Sequence, residues 1–161
     1  MRVRLTSVVL LVADMERAKS MYRDVLGQEI VSEGVTEVSF SSGLSLRRGA
    51  HPPRLPDEAG GRERFSSFMH LCFETDDIDE LADRVFEAGL EVLHPVAESP
   101  RGRRFLRFLD PDSHLIEVGE EIAAVVRREA AYAVPAEMIA QKTGLPLARV
   151  LSILAGDPGP A

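Results

Sequence analysis

The stretch Ser7–Asp14, SVVLLVAD, decides the fold because its pattern returns later in the chain as His70–Asp77, HLCFETDD. Each copy is an apolar run typical of a β-strand, and each ends in an aspartate that can cap a helix. A helical pattern follows in both copies, and a glycine ends it, Gly27 in the first and Gly89 in the second. The repeat predicts one structural unit that is built twice.

The sequence pattern of each unit predicts the element order β-α-β-β-β. Three short extended segments follow Gly27 and three follow Gly89, with turn residues between them. The stretch between the units is rich in proline and glycine, which is typical of a linker. We therefore predict an α+β fold with a paired-module domain at 1–120, in which modules 1–48 and 66–120 are separated by a linker at 49–65, and a helical tail at 121–161.

The composition excludes several classes of protein. The 161 residues include 19 basic and 26 acidic side chains, and the net charge of −7 disfavours nucleic acid as the main partner. No run of about 20 apolar residues or secretory pattern occurs, so we expect no membrane span and a cytoplasmic location. The single cysteine, Cys72, excludes an intrachain disulfide and a zinc site with several cysteines.

The tail carries three helical patterns, and Gly144 lies at a corner between the last two. This spacing weakly resembles a helix-turn-helix, but only Arg149 in the would-be reading helix can contact a base or phosphate. The tail also has many leucine, valine and isoleucine side chains that must be buried. We expect it to pack against the modules or a partner subunit rather than to bind DNA.

The chain contains four further motifs, VLLVAD at 9–14, YRDVLG at 22–27, HLCFE at 70–74 and FLDPDSHLIE at 108–117. Together these motifs resemble the vicinal oxygen chelate superfamily. The superfamily includes glyoxalase I, extradiol dioxygenases, and fosfomycin and bleomycin resistance proteins. The resemblance implies curved mixed sheets that enclose a cavity, and frequent dimerisation, but it does not select one activity.

The resemblance also implies a divalent-metal site with one ligand on the first and one on the last strand of each module. His70 and Glu117 match these positions in the second module. When Gly43-Leu44-Ser45-Leu46 is aligned with His114-Leu115-Ile116-Glu117, the first module offers Ser7 and Leu46. Two of four ligands are a weak set, so we expect Zn, Ni, Mn or Fe to be absent or weakly bound. His51 in the linker and Glu37 on the third strand remain open as replacement ligands.

Without a metal, Glu117 needs a partner, which is either His70 as imidazolium or an arginine. Arginines come from the run at 101–107, RGRRFLR, whose guanidinium groups could hold a carboxylate or phosphate; the alternative is that they are merely solvated. Cys72 shares strand parity with His70. The predicted ligand-cavity residues are Ser7, Leu46, Cys72, Arg103, Phe105 and Arg107.

Two functions follow from these observations. The first is a small-molecule binding protein of the glyoxalase and bleomycin-resistance type, which sequesters a ligand in the cavity, acts as a homodimer, and favours a cationic ligand because of its acidic charge. The second is a divalent-metal-dependent lyase, isomerase or dioxygenase, in which Glu117 is the catalytic residue.

Overall fold

The computed structural model describes residues 3–49 and 69–156. Both β-α-β-β-β modules and the helical tail are present, so the predicted α+β fold is confirmed. The predicted linker lies outside the described residues except for Gly49, and so do the first residues of the second module. The first module consists of β1 (Val8–Val12), α1 (Met15–Ser20) with a π-helical continuation at Met21–Val25, β2 (Ile30–Glu33), β3 (Glu37–Phe40) and β4 (Leu44–Arg48).

The second module repeats this order. Its elements are β5 (His70–Thr75), α2 (Ile78–Glu87), β6 (Glu91–Glu98), β7 (Arg104–Leu109) and β8 (Leu115–Glu120). The two four-stranded sheets have matching strand orders, β1-β4-β3-β2 and β5-β8-β7-β6. In each sheet the first strand of the module lies parallel to the last, which requires the intervening helix as a crossover.

The predicted helix starts have a clear local cause. The Asp14 carboxylate accepts a hydrogen bond from the Arg17 backbone N–H, and the Asp77 carboxylate accepts one from each of two backbone N–H groups at the start of α2. Gly27 and Gly89 follow the helices with φ of +63°, a conformation that glycine adopts without steric cost. The repeated sequence therefore encodes repeated helix ends.

One hydrophobic core extends through both modules. The hydroxyl of Tyr22 donates a hydrogen bond to Oδ2 of Asp110, and the backbone N–H of Ala13 donates one to Oδ1 of Asp112. Both bonds join the first module to the second. The modules therefore pack against each other within a single chain.

The tail forms three helices, α3 (Ile122–Ala131), α4 (Ala136–Thr143) and α5 (Leu147–Leu154). They enclose a small cluster of their own, and Glu120, at the end of β8, connects them to the second sheet. Its buried carboxylate accepts hydrogen bonds from Arg104 of β7 and Arg128 of α3. Among the residues described, no helix is long and apolar enough to cross a membrane. The buried tail cluster consists of Ala123, Val126, Ile139, Val150 and Ile153.

Candidate functional site

The second sheet has one face packed on the core and one face turned away from it. Leu71 and Phe73 of β5 pack against the core, whereas Cys72 between them is exposed. Cys72 lies directly opposite Glu117, and Glu117 lies opposite Arg107. Because opposite residues in a sheet share a face, these three side chains lie side by side on three adjacent strands. We call this surface the open face.

The central contact of the open face is an ion pair between β7 and β8. Nε of Arg107 donates a hydrogen bond of 2.7 Å to Oε2 of Glu117. The Arg107 side chain is 38% exposed and that of Glu117 is 28% exposed. Of the two partners proposed for Glu117, the structure therefore selects an arginine, and no hydrogen bond or ion pair joins His70 to Glu117 within the described ranges.

Phe105 provides an aromatic surface beside this pair. The guanidinium carbon of Arg107 lies 5.1 Å from the centre of the Phe105 ring, and the His94 ring meets the same ring edge-on at 5.3 Å. The imidazole of His94 is held in turn by a 2.7 Å hydrogen bond between Nδ1 and the Pro95 carbonyl. The sequence did not indicate His94, because irregular pairing in β6 places it beside Arg107.

Arg103 is a second arginine fixed at the open face. Its Nη2 donates to Glu74 at 2.7 Å, and its Nε donates to the backbone carbonyl of Glu120 at 2.8 Å. The guanidinium group lies over Gly119, where an added Cβ would come within 2.5 Å of it. A glycine is therefore required here for this position of Arg103.

Ser7 and Cys72 line a cavity between the two modules. The cavity has a volume of about 350 Å³ and lies where the chain around β1 meets β5. Its walls are mostly apolar, with Leu44 and Phe73 among them. His70, at the start of β5, is exposed and shares its alternation with Cys72.

Leu46 does not lie at this site, and its prediction as a cavity residue and as the counterpart of Glu117 is wrong. It is completely buried in the core, opposite Leu10. Ser45, which lies opposite Val9 as Glu117 lies opposite Cys72, occupies the equivalent place. A shift of one residue moves a side chain to the other face of a sheet.

The donor set does not fit a tight divalent-metal site. In the second module Glu117 is already paired with Arg107, and in the first module the equivalent positions are the hydroxyl groups of Ser7 and Ser45. Ser45 is buried and its hydroxyl is 2.9 Å from that of Ser39. In the ranges that the structure describes, no three His, Cys, Asp or Glu side chains are grouped so as to hold a metal ion.

The replacement ligands considered from the sequence do not complete this set. Glu37 is paired with Arg47 on the neighbouring strand of the first sheet, at 2.9 Å from its Nε. His51 lies outside the described residues. His114 is only partly exposed and contacts Asp110 through Nδ1.

Comparison with known proteins defines the class. Residues 5–123 match the family model of the glyoxalase-like domain, so the chain belongs to this family and to the vicinal oxygen chelate superfamily. Among curated proteins, YwkD of Bacillus subtilis, which is uncharacterized, is 29% identical over 71% of this chain and 94% of its own length. An ethylmalonyl-CoA/methylmalonyl-CoA epimerase of Cereibacter sphaeroides is 30% identical over 56% of this chain and 74% of its own length.

Solved structures give the same result. A protein of unknown function from Agrobacterium tumefaciens superposes with a TM-score of 0.62 at 32% identity, covering 74% of this chain and 95% of the other. A lactoylglutathione lyase from the same organism has a TM-score of 0.53 at 28% identity, covering 74% and 95%. The family match ends at residue 123, so most of the helical tail lies beyond the matched domain.

Proposed function

We propose that this glyoxalase-like protein binds and sequesters a small organic molecule at the open face of its second sheet. The supporting observation is the Arg107–Glu117 pair. It gives Glu117 a positive partner within the chain, so that the carboxylate does not need a metal ion to balance its charge. The adjacent ring of Phe105 and the cavity lined by Ser7 and Cys72 offer apolar surface for a ligand.

As further parts of this proposal, the protein acts in the cytoplasm and as a homodimer. Both are expectations from the sequence and its resemblance. A homodimer would double the number of open faces.

A second candidate is a divalent-metal-dependent lyase, isomerase or dioxygenase. It is favoured by His70 and Glu117, which remain at two ligand positions, and by the names of two similar proteins, an epimerase and a lyase. In this case Glu117 would bind the metal ion through Oε1, because Arg107 is bonded to Oε2. Calorimetric titration of chelator-treated protein with Zn²⁺, Ni²⁺, Mn²⁺ and Fe²⁺ separates the two candidates. Stoichiometric submicromolar binding that Glu117→Ala abolishes would establish the second.

Cys72 makes the first candidate directly testable, because it is the one cysteine of the chain and is exposed on the open face. A chromogenic thiol reagent should modify it in the unliganded protein. We expect small molecules that occupy the open face to slow this reaction, with chelator present. If a chemically diverse set of acids, amines, thiols and phosphate esters leaves the rate unchanged, binding at the open face is disproved.

A further inference from the structure

Arg107 is fixed on one side and open on the other. Its only hydrogen bond to the described residues is the one from Nε to Glu117, so both terminal nitrogens, Nη1 and Nη2, keep their N–H groups. A guanidinium group binds oxyanions best through such a pair of parallel N–H donors. The carboxylate of Glu117 thus orients the guanidinium group without consuming the donors that a ligand would use.

Arg103 also keeps one terminal nitrogen without a partner among the described residues. It uses Nε and Nη2 for the Glu120 carbonyl and the Glu74 carboxylate, and Nη1 donates to no residue in the described part of the chain. Because residues 103, 105 and 107 alternate along β7 and its approach, both arginines flank Phe105 on the same face. The open face therefore presents unused N–H donors on either side of an aromatic ring.

The ring is also fixed in orientation. His94 contacts Phe105 edge-on, and the guanidinium group of Arg107 lies near its face. Such a pre-positioned aromatic surface stacks well against a flat ligand group and loses little conformational entropy on binding.

We propose that Arg107 is the anchor for the carboxylate or phosphate group of the ligand, and that a flat, unsaturated part of the same ligand packs on Phe105. This inference rests on the proposed function and names its ligand class. The net charge of the chain favours cations at long range, but charges beyond about 8 Å are screened at physiological salt. The groups that contact the ligand therefore determine whether it is an anion or a cation.

A cationic ligand is disfavoured at the same place for a specific reason. Its natural contact, the Glu117 carboxylate, is already neutralised by Arg107 at 2.7 Å. An incoming ammonium group at the remaining oxygen, Oε1, would lie beside the positive charge of Arg107, which is repulsive. An oxyanion meets donors that have no other partner among the described residues.

Benzoate, phenyl phosphate and benzylammonium test this inference, since they share a ring and differ in charge. Binding is measured by calorimetry and by protection of Cys72 from the thiol reagent. We expect the two anions to bind the wild-type protein and benzylammonium not to. Arg107→Gln should weaken anion binding at least about tenfold, as expected for a lost charge-assisted hydrogen bond, and Arg107→Lys should restore it only in part because a lysine lacks the parallel donors.

Arg84→Gln is the matched control. Arg84 is also paired with a glutamate, Glu80, but on the exposed side of α2, so its loss removes the same charge away from the open face. Anion binding should be unchanged in this variant. Equal binding of benzoate by the wild-type protein and by Arg107→Gln would overturn the inference. Protection of Cys72 by benzylammonium alone would also overturn it, but would leave the proposed function intact. Protection by none of the three probes would overturn the inference alone, because the proposed function is disproved only when the wider set of compounds also fails.

Discussion

The hydroxyl of Tyr22 in the first module donates a 3.0 Å hydrogen bond to the fully buried carboxylate of Asp110 in the second. The same carboxylate accepts hydrogen bonds from the backbone N–H groups of Asp112 and His114. Burial, reinforced by the negative charge of Asp110, raises the pKa of Tyr22, so the phenol remains a donor. This contact fixes the two modules to each other at the turn before β8.

The first prediction concerns this hydrogen bond between the two modules. Tyr22→Phe keeps the ring but removes the donor, and Asp110 then lies buried with one hydrogen bond fewer. We expect the free energy of unfolding to fall by about 1–2 kcal/mol, measured by urea denaturation. Tyr132→Phe is the control, because Tyr132 is 75% exposed and its hydroxyl loss should change stability by less than about 0.5 kcal/mol. Equal effects of the two substitutions would contradict this role of Tyr22.

The second prediction concerns Glu120, which is 2% exposed and bonded to Arg104 and Arg128. Glu120→Gln leaves two partly buried guanidinium groups without their shared negative charge. We expect the free energy of unfolding to fall by roughly 1–3 kcal/mol. This is less than for a fully buried pair, because both arginines reach solvent. Glu80→Gln, which removes the carboxylate partner of Arg84 at the surface, should cost no more than about 1 kcal/mol.

Stability should depend on pH through the same group. Burial acts to raise the pKa of Glu120, but the hydrogen bonds from Arg128 and Arg104 outweigh it, so its pKa lies below its ordinary value of 4.5. Such a carboxylate adds stability above the unfolded-state pKa and loses it as the pH falls through the folded-state value. The difference in unfolding free energy between wild type and Glu120→Gln should therefore be constant near pH 7 and shrink below about pH 4.5. A difference that grows on acidification would contradict the assignment.

The third prediction concerns the tail. Deletion of residues 121–161 removes Arg128 and the cover over Glu120. We expect a lower midpoint of thermal unfolding, measured by circular dichroism, because Glu120 loses its hydrogen bonds with Arg128. The intact protein should not bind duplex DNA in a salt-dependent manner. Unchanged stability of the truncated protein, or salt-sensitive DNA binding by the full chain, would show that the tail has another role.

The fourth prediction is the assembly state. Light scattering after size-exclusion chromatography should give a mass twice the 17.7 kDa of the chain at micromolar concentration. Since each chain already contains both modules packed on one core, dimerisation is not needed to complete a module pair. A monomer mass would remove the homodimer from the proposal and leave the open face of each chain unaffected.

The fold was largely predictable from the sequence. Strand and helix periodicity, the capping aspartates and the repeated glycines identified both modules, because these signals are local and act within a few residues. The arginine partner of Glu117 was one of two alternatives, and only the strand register decided between them. The link between Glu120 and Arg128 was not predicted, because the sequence does not show how the tail packs against the second sheet.

The error at Leu46 has a physical cause. The alignment matched Gly43 to His114, but the turn before β4 and the turn before β8 differ in length. The ladder of the first sheet therefore places Ser45, not Leu46, at the position equivalent to Glu117. Loop lengths between strands are not encoded by periodicity, so only the structure establishes which face each residue takes.

The parallel pairing of first and last strands has a consequence for synthesis on the ribosome. β1 emerges early but cannot pair until β4 has been made, and β5 must wait in the same way for β8. Until the last strand of each module has been synthesised, the nascent chain exposes an apolar strand with unpaired backbone groups. Such a strand is a template for aggregation. The first module can close while the second is still being translated, and the Tyr22 hydroxyl finds its acceptor only when the turn at Asp110 leaves the exit tunnel.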